Sequence, residues 1–214
     1  MPTGSVSPSF YEWTLPVPRD RWDPQNPKLE LAARPYVHVE NVLRYTFRDK
    51  GFLLQAFTHQ SYPETSRIVP GYMRPMDFLG DALLKEMLTV QLYGTISPLT
   101  PKALHETRKR LECNRFFGYV VVSNGMHRLI RSHSPELSER IVQYVKKLGN
   151  GPLADIFEAL ASAVYLDSDQ SKSTVFRSFF PLLRSQFNAE LEKTAAVAER
   201  NDSSHINDSE SSED

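Results

Sequence analysis

MDFLGDALLKEML, residues 76–88, has the apolar rhythm of a helix meant for burial, broken by two acids. Met76, Phe78, Leu79, Leu83, Leu84, Met87 and Leu88 recur at the three- and four-residue steps of an amphipathic helix. Asp77 and Asp81 stand at i and i+4, so they share one face. A second stretch, ADIFEALASAVYL (154–166), repeats the arrangement with Asp155 and Glu158 at i and i+3. Its neighbours Leu153, Ile156, Phe157, Leu160, Val164 and Leu166 are apolar. Isolated ionised carboxylates are costly to bury. They are tolerated when paired, when open to a cleft, or when bound to a cation.

If these two helices lie side by side, four carboxylates converge. Such an all-oxygen set suits Mg²⁺ or Mn²⁺ rather than zinc. A di-iron carboxylate site would want Glu-x-x-His, and the residue three beyond Glu158 is Ala161. The plainer alternative, ordinary surface acids on amphipathic helices, satisfies the same spacing.

Outward from these stretches the pattern is helical almost throughout, which predicts an all-α fold. VENVLRYTF (39–47) reads as a short helix, and DKGFLLQAFTH (49–59) as another with Asp49 as N-cap. A long helix is expected near 74–93. A further one opens after Thr100, a capping residue, with Pro101 in its first turn. NRFFGYVVVSNG (114–125) fits helix or strand by propensity. SPELSERIVQYVKKL (134–148) has a Ser-Pro-Glu helix start. SKSTVFRSFFPLLRSQFNAELEK (171–193) is the last helix, which Pro181 should bend or break.

Residues 1–36 hold seven of the fifteen prolines and no helical period, so they read as an extended arm or linker, with Trp13, Leu15 and Trp22 able to stick to the body. The expected folded domain is 37–195. Residues 196–214 form an acidic tail with too few apolar side chains to offset chain entropy, and are expected to be disordered.

The chain has 214 residues, 40% hydrophobic and 24% charged, as in a globular protein. No run approaches the ~20 apolar residues of a membrane span, so no membrane partner is expected. The N-terminus lacks a basic start followed by an apolar block, so no secretory signal is expected. Cys113, the sole cysteine, excludes an internal disulfide and a cysteine-rich zinc site. An intracellular location, cytoplasmic or nuclear, follows as the expectation. Net charge is −1, but the last sixteen residues carry six acids against one arginine, which leaves a mildly basic body. That balance is compatible with a nucleic-acid partner.

FRDKGFLLQAFTHQSY (47–62), MDFLGDALL (76–84) and GPLADIFEALASAVYLDSD (151–169), in that order, resemble the ribonuclease III catalytic domain. The resemblance runs from about residue 39 to 190 and is closest to the second such domain of Dicer enzymes. It implies the helical endonuclease fold of that family. It implies two divalent metals, Mg²⁺ or Mn²⁺, and an attacking water held by Asp77, Asp81, Asp155 and Glu158, with Asp81 and Glu158 as the catalytic pair. It implies cleavage of double-stranded RNA into pieces with 5′ phosphates and staggered ends. Phe78 would insert into a partner domain, in a homodimer or a pairing with another ribonuclease III domain, and Arg108 with Asn114 would lie beneath the site.

Double-stranded RNA is read by shape and phosphates. The basic cluster Arg108, Lys109, Arg110 and Arg115, with Asn114, is the expected RNA-binding face, against the alternative of solvated surface charge. The chain also departs from the family pattern. The box Glu-Arg-Leu-Glu becomes Arg74-Pro75-Met76-Asp77, and Asp77 is one methylene shorter than the family's glutamate. Lys85 and Glu86 replace small or acidic residues, and RLECN (110–114) stands where Leu-Val-Asn-Asn is frequent. These changes keep open a second function: an inactive relative that binds RNA or completes a dimer in an RNA-processing assembly.

Overall fold

The computed structural model describes residues 22–66, 68–95, 100–147 and 153–210, with backbone alone for 66, 147 and 198–210. Nine α-helices follow one another among these residues: α1 Pro27–Ala33, α2 Val37–Leu43, α3 Lys50–Ala56, α4 Arg74–Tyr93, α5 Pro101–Leu111, α6 Asn114–Ser123, α7 Pro135–Lys147, α8 Ala154–Asp167 and α9 Lys172–Glu210. The one extended pairing among the described residues is an isolated parallel bridge, Thr58 to Arg131. No helix among them is long and apolar enough to cross a membrane.

Local chemistry sets the helix starts. The Asp49 carboxylate accepts from Gly51 N at 2.8 Å and caps α3. Thr100 Oγ1 accepts from Ala103 N at 3.2 Å above α5, and Ser134 Oγ accepts from Leu137 N at 3.1 Å above α7. Pro27, Pro101 and Pro135 open α1, α5 and α7, where a missing N–H costs nothing. The ambiguous 114–125 segment is helical because Phe117, Val120 and Val121 face the core at a helical step.

Two expectations change. The arm expected over 1–36 ends sooner, because residues 27–36 are helical. Asn26 caps α1, and Leu29, Ala33 and Tyr36 are buried. Proline density there marks helix starts rather than extended chain. Trp22 does hold to the body: its indole N–H donates to Asp49 at 2.9 Å, and its ring meets Phe52 edge-on. Trp13 and Leu15 lie outside the described residues. The second change is at Pro181, which neither ends nor divides α9. Pro181 and Arg177, four residues before it, are both exposed, so the intrahelical hydrogen bond that the proline removes lies on the outer side of α9. The helical backbone of α9 continues to Glu210, into the acidic segment.

α8 is the axis of the fold. It is apolar nearly all round, as a central helix must be, and packs against α4, α3, α6 and α9. Phe157 sits between Phe117 and Phe179, with ring centroids 5.2 and 5.0 Å away. The contact with α4 is the largest between any two elements, and small residues permit it. A Cβ built on Gly80 would overlap the Glu158 carbonyl oxygen. Ser162 Oγ donates to the Met76 carbonyl at 2.5 Å.

At the far end of α8, Asp167 is buried and ties down the entry to α3. Its carboxylate accepts from Tyr45 Oη at 2.6 Å, Arg48 N at 2.9 Å and Asp49 N at 2.8 Å. Asp167→Ala strands three donors and should cost about 3 kcal/mol. Urea denaturation should show this as a lower midpoint; an unchanged midpoint would mean that water replaces the carboxylate.

Candidate active site

The close approach at Gly80 positions the acids. Asp77 lies in the first turn of α4 and Asp155 in the first turn of α8, where the helix dipole favours a negative charge. One turn further along, Asp81 and Glu158 flank the Gly80 contact. Glu158 lies in the field of the other three carboxylates, and Asp77 in that of Asp155 and Asp81. Burial pushes the Glu158 carboxyl up to about 7, with Asp81, Asp155 and Asp77 adding to the effect. Asp77 is raised by burial and then by Asp155. Asp155 is raised by burial, against the guanidiniums of Arg74 and Arg140. The structure thus brings all four predicted acids into one neighbourhood.

Two charged side chains join them that the four-acid reading did not include. Lys85 Nζ stands 2.6 Å from Asp81 Oδ2. Glu112, just past α5, pairs with Arg108 at 3.1 Å and has its carboxyl raised, first by burial. Both pairs are at i and i+4 and were legible as such. Their direction, toward the acids, was not.

The donor set is all oxygen and carries an excess of negative charge, which fits a hard divalent cation. Among the described residues, however, no three His, Cys, Asp or Glu side chains stand close enough to grip an ion as they lie. Asp81 is instead turned to Lys85. The acids share a neighbourhood rather than a ready-made cage.

Residues 75–169, which span all four acids, match the family model of the ribonuclease III domain. The chain carries a ribonuclease III domain. It is 31% identical to the endoribonuclease Dicer of Danio rerio over 211 residues, covering 85% of this chain and 11% of that protein. It is 32% identical to Dicer homolog 1 of Arabidopsis thaliana, covering 74% of this chain and 9% of that protein. The chain therefore spans about a tenth of the relatives it matches. Among solved structures, the nuclease domain of ribonuclease III from Campylobacter jejuni superposes with a TM-score of 0.57 at 22% identity, covering 72% of this chain and 97% of that one. A second structure of that domain gives 0.53 at 23% identity. This likeness shows the helical nuclease fold.

The expected RNA-binding residues of the ribonuclease III domain divide into groups. Arg110 is exposed but committed to the fold, donating to the buried Glu190 at 2.7 Å and to Thr194 at 2.8 Å and so locking α5 to α9. Arg108 folds back on Glu112 and Thr89. Lys109 is exposed, 3.5 Å from Glu106, and Arg115 is exposed. Asn114 begins α6 and lines a polar cavity of about 610 Å³ with His59, Arg74, Arg140 and Asp155. His59 and Ser61 form a polar corner: Ser61 Oγ meets His59 Nδ1 at 2.9 Å and Ser132 Oγ at 3.0 Å. Phe78, beside Asp77, is 83% exposed, so it is not core packing in the single chain.

A pH dependence follows from Glu158. Its folded pKa lies above the ordinary 4.5, so the folded chain holds this proton more tightly than the unfolded chain. The resulting stabilisation is full below about pH 4.5 and is lost as pH rises through about 7. Thermal melts in a chelator should therefore fall from about pH 5 to about pH 8. Glu158→Gln should melt higher than the unmodified protein at the upper end. Asp77, Asp155 and Glu112 are also raised and leave a residual slope. Identical pH profiles for the two proteins would contradict the assignment.

Proposed function

We propose that the chain is a divalent-metal-dependent endoribonuclease of the ribonuclease III type, acting on double-stranded RNA with Mg²⁺ or Mn²⁺. The observation that carries this reading is the mutual coupling of Asp77, Asp81, Asp155 and Glu158 across the Gly80 contact. The family match and the Dicer relatives support the choice of substrate.

Each side chain then has a role. Asp77, Asp81, Asp155 and Glu158 would hold the cations, whose chemistry is to activate water and stabilise the leaving oxygen of a phosphodiester. Without cations, these acids repel an anionic strand; with them, the local field reverses. Glu158 keeps a proton into the neutral range, and cation binding would release it. Lys109, exposed on α5 in a loose pair with Glu106, and Arg115, exposed in the first turn of α6, are the members of the basic cluster best placed to meet phosphates. Phe78 supports pairing, since a large aromatic open to solvent beside the acids is suited to insertion into a second domain. One domain cuts one strand, so a homodimer or a pairing with another ribonuclease III domain would cut both.

A second reading has its own observation. Asp81 is engaged by Lys85, and no three donors converge as they lie. This favours an inactive relative that binds RNA or completes a dimer. Incubating the purified chain with long double-stranded RNA in Mg²⁺, and separately in Mn²⁺, tests the choice. Fragments with 5′ phosphates are expected. RNA binding without cutting in either metal would overturn the enzyme reading in favour of the second. Gel filtration reads the pairing.

A further inference from the structure

Lys85 is more than an exposed partner within α4. Its Nζ makes a hydrogen bond to Asp81 Oδ2 at 2.6 Å. It also lies in the field of Glu112, from the end of α5, and of Glu158, from α8. Acidic groups from three elements thus act on one ammonium, with Asp81 in direct contact. Arg108 faces Glu112 as well and is paired with it. A lysine ammonium has three donors and no acceptor, and it is a compact point charge. It is therefore the kind of group that can stand where a small cation would stand among carboxylates. The side chains of Lys85 and Asp81 are 48% and 38% exposed, so the pair can open without disturbing the core.

We propose that Lys85 is the resident counter-cation of the acid cluster, which a divalent ion must displace from Asp81 in order to bind. Lys85 thereby sets the affinity of the site for its ion. The inference rests on the metal-dependent reading given above. Its physical basis is exchange. An ion bound to the Asp81 carboxylate and an ammonium hydrogen-bonded to that carboxylate are like charges a few ångströms apart, and the field between them is only partly screened by water. The ammonium has to swing out on its four-carbon stem when the ion enters. The same exchange explains why the carboxylates do not already form a cage: Asp81 is held toward α4's own next turn.

The test is a titration of the 214-residue chain with Mn²⁺ in the absence of RNA, reading free Mn²⁺ by electron paramagnetic resonance. Lys85→Gln should bind Mn²⁺ about tenfold more tightly than the unmodified chain, within the range by which partners of metal ligands tune affinity. Lys85→Arg keeps the charge and should bind like the unmodified chain. Far-ultraviolet circular dichroism checks that both variants stay folded. Equal or weaker binding by Lys85→Gln overturns the proposal, as does Lys85→Arg behaving like Lys85→Gln. If neither the unmodified chain nor Lys85→Gln takes up Mn²⁺ at millimolar concentration, the metal-dependent reading fails and the proposal falls with it. If the unmodified chain binds Mn²⁺, and Asp81→Asn weakens it while Lys85→Gln does not change it, only the role of Lys85 is lost.

Discussion

Gly80→Ala is expected to lower the thermal midpoint of the protein by roughly 6–12 °C, corresponding to about 3 kcal/mol. Alanine is the better helix former by about 1 kcal/mol, so propensity alone predicts the opposite sign. Packing decides the outcome, because the added Cβ meets the Glu158 carbonyl oxygen. That obstacle is backbone in the middle of the central helix and cannot rotate away. α4 and α8 must separate, and every contact along their shared face loosens. The same displacement pulls Asp77 and Asp81 away from Asp155 and Glu158, so cleavage should fall further than stability explains. Gly94→Ala is the control. A Cβ there would be 3.5 Å from the Val90 carbonyl oxygen, an ordinary contact. Circular dichroism melts of the two variants settle the point. A Gly80→Ala midpoint within a degree or so of the unmodified protein would mean that the helices are not locked at this position.

The second large effect concerns the acids. Asp81→Asn and Glu158→Gln should each reduce single-turnover cleavage of double-stranded RNA by about 10²–10³-fold, the scale on which loss of one preorganised electrostatic group is felt. Each substitution keeps the shape of the side chain and removes its charge. Both side chains are partly exposed, so folding survives. Glu158→Gln should even stabilise the metal-free protein at alkaline pH. RNA binding in the absence of metal should hold or improve, since one negative charge near the phosphates is gone. Groups that act as a unit are strongly non-additive, so the double variant should be little worse than either single one. A variant that keeps more than about a tenth of the activity would remove its residue from the catalytic set.

The helical frame was largely legible. The long helix expected near 74–93 is α4, Arg74–Tyr93, and the caps at Asp49, Thr100 and Ser134 are where their chemistry put them. These are local features, written in spacing and in residues that satisfy the first turn. Residues 27–36 misled because a proline opening a helix and a proline in extended chain look alike until Leu29, Ala33 and Tyr36 are seen to be buried. Of the two effects expected of Pro181, a bend or a break, the break does not occur, and α9 runs on through a position where both Pro181 and Arg177 are exposed.

The site divides along the same line. Two acidic pairs on two apolar helices could be read directly, because i, i+3 and i+4 neighbours share a face whatever the fold does next. That Gly80 lets those faces touch could not be read, because helix separation depends on what stands opposite in space. Nor could spacing reveal that Arg110 is committed to Glu190 on α9, or that Lys85 looks toward Glu112 and Glu158. From its own residues the chain specifies an all-helical protein carrying acids on two helices destined for burial. Only the packing of α4 on α8 makes those acids one electrostatic unit, because the fields that couple them act over a few ångströms across space and not along the chain.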